Sequence, residues 1–160
     1  NSSFEKYTFL TDDLQYDYIT SFMSFHNVYA EPEGLKNLLD GIRNKINFRT
    51  KFIISFLDRD KLFSQAQLES HDKITMSSGS YIQYLGNNKI KYFYSWRHYE
   101  PQIEYCISQN KLEKDLQRYG WKLNSMTQDN FPENINSGNK KNPWNKILQS
   151  LKLVCFSKLE

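Results

Sequence analysis

The spacing of hydrophobic positions changes several times along the chain, and each change predicts an element. Residues 4–11 (FEKYTFLT) read as a short strand closed by the acidic pair Asp12–Asp13. Residues 16–25 (YDYITSFMSF) are dense in aromatic and β-branched side chains, which predicts a buried strand. A polar loop over 26–32 ends at Pro32, a residue suited to a first helical turn. Leu35, Leu38, Leu39, Ile42 and Ile46 then recur at helical spacing and form one apolar stripe. Glu31 and Glu33 stand at the start of that helix and Lys45, Arg49 and Lys51 at or beyond its end, as the helix dipole favours. Gly41 lies inside the helix, costs about 1 kcal/mol against Ala and is expected to mark a close approach.

The segment KFIISFLD (51–58) is almost continuously apolar, the mark of a strand covered on both faces. A strand, a helix and a second strand in this order require a parallel pair joined by a right-handed crossover. Residues 60–69 predict a short helix and 70–80 a polar loop. YIQYLGNNKIKYFYSW is the best hairpin signal, two alternating runs about Gly86-Asn87-Asn88. Residues 99–104 begin a new connection. Asn110 is the expected cap of a helix KLEKDLQRYG, closed by Gly120. Residues 121–127 read as a strand, 128–143 as a polar, mobile loop, and LKLVCFSK as the terminal strand. The order fits the back half of a doubly wound α/β domain, with a hairpin inserted. In such sheets ligands bind beyond the carboxyl ends of the strands, which places the loop centred on His26 at the site.

Composition changes this picture little. The 160 residues suffice for one domain with a core, and 39% hydrophobic with 16% aromatic residues excludes wholesale disorder. Frequent Lys, Asn, Ile, Tyr and Phe read as the codon bias of an AT-rich genome, viral or microbial. A net charge of +3 permits contact with a polyanion, but the basic residues are scattered, with only Lys140–Lys141 adjacent. Cys106 and Cys155 stand in apolar runs without a CxxC, so buried, reduced thiols are expected, in a cytoplasmic or nuclear compartment or, for a viral protein, the host cytoplasm or virion. No metal-ligand cluster and no apolar run of about 18 residues is present, so neither a metal nor a membrane span is expected. Asn1 reads as a boundary within a longer polypeptide.

The ordered series of motifs resembles the C-terminal half of the mRNA cap guanine-N7 methyltransferases. That family carries a stretch close to "FDIVSCQFALHYAFES", a helix with "LLxNI", and a strand followed by "PDxxxL". Here Tyr16-Asp17-Tyr18-Ile19 stands at the opening strand and Phe22-Met23-Ser24-Phe25-His26-Asn27 at the QFALHY segment. Leu38-Leu39-Asp40-Gly41-Ile42 falls at the helix, and Phe52 to Leu62 at the strand and its exit. Downstream, Ile90 to Tyr94, Ile103-Glu104-Tyr105, Leu112 to Leu116, Tyr119 to Leu123 and Leu153 to Lys158 follow the family's hairpin, "EY" pair, helix and final strand. The resemblance spans nearly the whole chain in the right order.

The resemblance implies a Rossmann-like, S-adenosylmethionine-dependent enzyme that methylates N7 of the 5′ cap guanine of mRNA. N7 is already a nucleophile, so such catalysis is positioning and electrostatics without a general base. His26 matches the family's loop histidine beside cap and donor. Glu104 matches the glutamate that accepts hydrogen bonds from guanine N1 and the N2 amino group, and two oxygens facing two donors suit that edge. Tyr29, Tyr92, Tyr94, Trp96 and Tyr99 are candidate stacking rings, with Tyr29 assigned to the guanine. Asp13 or its neighbour Asp12 matches the strand-end acid near the donor's adenine, and Phe22 takes the place of a glutamine on the donor side. The implied partners are the capped mRNA 5′ end and the rest of a capping enzyme or a second subunit.

Several positions depart from the family. Phe22 replaces the glutamine, Asn27 the tyrosine after the histidine, Phe48-Arg49-Thr50 the Pro-Gly-Gly, and Lys152 a late tyrosine. None of the six glycines forms the glycine-rich donor loop, which belongs to the N-terminal half of such domains. These departures keep two other readings open. One is a non-catalytic methyltransferase-like subunit that binds RNA or stimulates a capping partner. The other is a different Rossmann-type methyltransferase, against which the hairpin and Glu104 argue.

Overall fold

A computed structural model describes residues 14–22, 24–71, 73–75, 79–95, 100–124 and 150–159. The expected strand over 4–11, the acids Asp12 and Asp13, and the loop over 128–143 lie outside these residues.

Among these residues two four-stranded sheets form the frame. The first contains β1 (Tyr18–Ser21), β2 (Lys51–Leu57), β7 (Trp121–Leu123) and β8 (Leu151–Lys158), in the order β1-β2-β8-β7. β1 and β2 are parallel, as their intervening helix requires. β8 inserts between β2 and β7 and runs antiparallel to both. β2 occupies the centre, and Phe52, Ile54, Ser55, Phe56 and Leu57 are all buried, which accounts for its unbroken apolar sequence. On its faces Phe25, Phe52 and Trp121 interlock, with Phe25 edge-on to Phe52 at 5.5 Å and Phe52 tilted against Trp121 at 5.5 Å.

Helix α1 (Gly34–Ile42) covers this core with Leu35, Leu39 and Ile42, while Leu38 is only partly buried. It ends in a 3-10 turn over Arg43–Lys45, so Ile46 lies beyond the helix. Gly41 is exposed and marks no close contact. Helix α4 (Gln109–Gln117) buries Leu112 and Leu116 in the same core. Its cap is Ser108, whose side chain accepts from Lys111 N at 3.3 Å, and Asn110 is an exposed residue of the first turn. The side-chain oxygen must precede the first helical residue to reach the free N–H groups, and Asn110 sits too far along.

The second sheet is antiparallel throughout, in the order β3 (Lys73–Thr75), β4 (Tyr81–Gly86), β5 (Lys89–Phe93), β6 (Gln102–Tyr105). The hairpin turn is Asn87-Asn88, with φ of 50° and 62°. Two left-handed residues match the right-handed twist of the flanking strands, and Asn tolerates that conformation. β3 replaces part of the polar loop expected over 70–80, and β6 part of the expected connection over 99–104. Ile82, Tyr84, Ile90 and Tyr94 form a second core with Leu57, Leu62, Phe63, Cys106 and Leu151. Two short helices, α2 (Arg59–Leu62) and α3 (Gln65–Ser70), stand where one was expected and join the sheets. α3 starts with a capping box, Ser64 with Gln67. Past β6, Ile107 N donates to Leu57 O at 3.0 Å, so the second sheet is tied to the end of β2.

The long aromatic run at 16–25 yields only four strand residues. Phe25, His26 and Val28 turn inward in a 3-10 stretch, Phe25–Ala30, and tertiary burial overrides strand propensity there.

Candidate functional site

Because β1 and β2 are parallel, their carboxyl ends share one edge of the sheet, and the chain leaving that edge forms the site. The 3-10 stretch after β1 is pinned from below. Phe25 and Val28 are buried in the core, and Gly34 lets the first turn of α1 rest on the Val28 carbonyl. A Cβ at Gly34 would collide with that oxygen. His26 is therefore held at a defined height above the sheet, 5% exposed. Its Nε2 lies 3.4 Å from Glu104 Oε2, and the Glu104 side chain is 36% exposed. Glu104 comes from β6, in register with Ile90, on the side of the second sheet that faces the core. Nδ1 of His26 is buried and has no hydrogen-bond partner among the described residues. A buried polar nitrogen without a partner carries a desolvation cost of about 1–3 kcal/mol, and its survival marks a place where a ligand or water belongs.

A pair of opposite charges, Asp58 and Lys152, lies at the same edge. Asp58 follows the last residue of β2 and is 2% exposed. Its Oδ1 accepts from Asp60 N at 3.0 Å, which caps α2, and its Oδ2 meets Lys152 Nζ at 2.8 Å. Lys152 Nζ also donates to Gln109 Oε1 at 2.7 Å. Lys152, where the resembling family has a tyrosine, thus joins β8 to the ends of β2 and α4.

The structure brings together two of the expected residues, His26 and Glu104. Tyr29 belongs to the same turn but faces α4. Lys111 Nζ stands 5.5 Å from its ring centroid, and its Oη is buried with no well-formed hydrogen bond among the described residues. Burial, and after it the nearby Asp115 carboxylate, push the Tyr29 phenol above its ordinary value. Asp115 itself is held by Lys111 at 2.8 Å and Arg118 at 3.5 Å. Phe22 projects from the carboxyl end of β1, 60% exposed. Asp12, Asp13, Trp96 and Tyr99 fall outside the described residues. Tyr92 and Tyr94 pack on each other at 5.1 Å, partly or wholly within the second core.

Sequence reasoning missed Asp58, Gln109 and Gly34. Asp58 carried a signal, an acid directly after a seven-residue apolar strand and two before Asp60, which is a helix-cap pattern. Gln109 and Gly34 carried none, since their importance lies in what approaches them in space.

Toward a donor molecule the described residues offer one exposed ring, Phe22, and no charged grip for a ribose or carboxylate. Gly34, Gly41, Gly79, Gly86 and Gly120 stand in a helix start, a helix, loops and a hairpin, and none forms a phosphate-type or nucleoside-binding turn after a strand. The described residues by themselves therefore do not make up a site for S-adenosylmethionine.

No protein-family model and no curated protein matches the sequence. Solved structures do match the fold. An S-adenosylmethionine-dependent methyltransferase from Clostridium acetobutylicum superposes with a TM-score of 0.54 at 13% identity, covering 94% of this chain and 61% of that one. The CcbJ methyltransferase of Streptomyces caelestis gives 0.53 at 7% identity, covering 92% and 59%. The glycopeptide N-methyltransferase MtfA, solved with S-adenosylmethionine, gives 0.53 at 10% identity, covering 94% and 57%. The chain thus spans about three fifths of the length of the structures it matches. At such identities the likeness is one of architecture: the chain has the Rossmann-like α/β fold of part of an S-adenosylmethionine-dependent methyltransferase domain.

Proposed function

We propose that this chain is the acceptor-binding part of an S-adenosylmethionine-dependent methyltransferase domain that acts on N7 of the mRNA cap guanine. The observation that carries the reading is the approach of His26 to Glu104 at 3.4 Å. His26 stands in the 3-10 stretch after β1 and Glu104 on β6 of the second sheet, far apart in the chain. The resemblance assigns both to one guanine, and the fold puts them side by side at the carboxyl edge of β1. The unpaired Nδ1 of His26 leaves hydrogen-bonding capacity there.

The donor, when bound, supplies an electrophilic methyl group on sulfur. The work of this chain's residues is to hold the nitrogen lone pair in line. Glu104 accepts from the N1–H and N2 amino groups of the guanine, and its negative charge opposes the positive charge that grows on the ring as N7 becomes alkylated. His26 orients Glu104 through Nε2. No residue needs to take a proton, because none is released from N7. Phe22, Asp12 and Asp13 are assigned to the donor side of the same site.

Isothermal titration of the chain with GpppA tests the reading. Binding that falls at least tenfold in Glu104→Gln, with unchanged affinity in Lys122→Ala, is the expected result. Equal affinity in wild type and Glu104→Gln would sink it.

A second reading follows from the sheet edge. Among the described strands β1 pairs with β2 alone, and Tyr18 and Phe22 stand 66% and 60% exposed beside its free edge. We infer that further strands extend the sheet there and bring the donor site, from the same polypeptide or from a partner subunit. A glycine-rich strand–turn–helix sequence upstream in the gene would assign them to the same polypeptide. Without one, the chain is the methyltransferase-like subunit of a two-chain enzyme.

A further inference from the structure

We propose that the outward face of the second sheet is a binding platform for single-stranded nucleic acid. Alternation along the strands divides the residues of β3 to β6 cleanly. Ile74, Ile82, Tyr84 and Ile90 face the core. Lys73 and Thr75 on β3, Tyr81 and Gln83 on β4, Lys89, Lys91 and Phe93 on β5, and Ile103 and Tyr105 on β6 point the other way, as their registers show. None of these outward residues is buried, and Ile103 is 50% exposed.

Three features set this face apart from an ordinary solvated one. The first is charge of one sign. The four strands carry a single acid, Glu104, which lies on the opposite face, and three lysines lie outward. None of the three lysines pairs with a carboxylate of a described residue. The second is interleaving with rings. Lys73 Nζ stands 4.7 Å from the Tyr81 ring centroid and Lys89 Nζ 6.0 Å from that of Tyr105. Tyr81 and Phe93 are stacked, 5.7 Å apart with an interplanar angle of 29°. The third is spacing. At about 4.8 Å between strands and about 3.4 Å per residue along them, the backbone positions of Lys73 and Lys91 lie about 10 Å apart across the sheet and those of Lys89 and Lys91 about 7 Å apart along β5, with the Tyr81–Phe93 pair next along the strands.

A polyanion alone would use the lysines, and an apolar protein surface alone would use the rings. Single-stranded nucleic acid uses both, with phosphates on the cations and bases stacked on the aromatic faces. The site at His26 and Glu104 lies on the other side of the same sheet, so the inference stands apart from the cap reading.

Fluorescence anisotropy with a short, unstructured, uncapped RNA tests it. The triple variant Lys73→Glu, Lys89→Glu, Lys91→Glu is expected to bind at least tenfold more weakly. Its log–log salt dependence should be shallower by about 2, since each lost phosphate contact removes about 0.7 on a single strand. Tyr81→Ala is expected to lose about five- to tenfold in affinity with an unchanged salt slope, since it removes a stacking surface and no charge. Lys36→Glu, Lys114→Glu, Lys122→Glu makes the same change in net charge elsewhere and should bind within about twofold of wild type, as sequence-tolerant contacts confined to one face require. An equal loss in that control overturns the proposal. So does wild-type affinity for heparin equal to that for RNA, which would show a generic cationic surface. Absence of RNA binding by the wild type at about 0.1 M salt overturns it too and returns the face to a protein partner. The RNA carries no cap, so failure at Glu104 leaves this test intact.

Discussion

Two polar side-chain pairs sit at one edge of the first sheet and differ in how completely their atoms are used. In the Asp58–Lys152 pair each carboxylate oxygen has a partner, one in Lys152 at 2.8 Å and one in Asp60 N at 3.0 Å, and the ammonium also reaches Gln109. In the His26–Glu104 pair the contact is 3.4 Å, the carboxylate is partly open to solvent and Nδ1 is left over. A saturated buried pair has nothing left for a ligand and acts as a tie between elements. An unsaturated one keeps capacity that only a further molecule fills. The contrast supports the proposal that His26 and Glu104 bind a ligand, while Asp58 and Lys152 tie elements of the fold together.

The contrast is sharpest under substitution. Lys152→Ala leaves Asp58 buried and uncompensated, and is expected to cost about 3–5 kcal/mol in urea unfolding. Lys152→Met combined with Asp58→Asn should recover much of that loss, because removing both charges removes the desolvation problem. A cost below about 1 kcal/mol for Lys152→Ala would erase the distinction between the pairs.

Gly34→Ala comes next. The added methyl meets the Val28 carbonyl, which cannot move without lifting the turn that holds His26. A loss of about 1–3 kcal/mol is expected in the same unfolding assay, with weakened GpppA binding alongside it. Unchanged GpppA affinity would show that the turn's height does not matter to the site.

Glu104→Gln is expected to do the reverse. It is nearly isosteric and partly exposed, so stability should move by less than about 0.5 kcal/mol. GpppA affinity should nevertheless fall at least tenfold, since hydrogen bonds to a charged acceptor are worth about 1.5–3 kcal/mol. A large stability loss with intact binding would reverse the two assignments.

Tyr29→Phe is the smallest effect. The buried hydroxyl has no hydrogen bond of good geometry among the described residues, with only the Asp115 carboxylate near it, so its removal should change stability by less than about 1 kcal/mol at pH 7. The sign changes nothing below pH 10, where the phenol is protonated in both states. Above it the unfolded tyrosine ionises while the folded one, its pKa raised by burial and by Asp115, does not, so wild-type stability falls with rising pH. Cys106, pushed by burial from 9.0 up to about 12, adds a loss of the same sign from pH 9 upward. Unfolding curves between neutral and alkaline pH should show a shallower decline in Tyr29→Phe than in wild type.

Much of the first sheet was legible in the sequence. The run KFIISFLD reads as a central strand because a strand buried on both faces has no place for polar residues, and LKLVCFSK reads as a strand for a related reason. The stripe Leu35, Leu39, Ile42 gave α1. Short elements were less legible. β3 has three residues and β6 four, too few for a period to declare itself, and their pairing with β4 and β5 supplies the backbone bonds that make them strands. Gly41 looked tight and is exposed, while Gly34 looked ordinary and is tight, because crowding depends on which backbone comes near. The family resemblance named His26 and Glu104 separately, and their meeting needed the second sheet to fold back over the turn after β1.

What the sequence by itself determined is the alternation of buried and exposed positions, the caps and turns at element ends, and the parallel pair that a strand, helix and strand demand. These are properties of neighbours along the chain, decided by periodicity and local backbone preference. What only the tertiary structure decided is which distant side chains share a space. It put His26 beside Glu104, saturated Asp58 with Lys152, and set Lys73 of β3 and Tyr81 of β4 on one face with Lys89, Lys91 and Phe93 of β5. Strand register sets such meetings, and register is fixed by the burial of whole faces, which no short window of the chain contains.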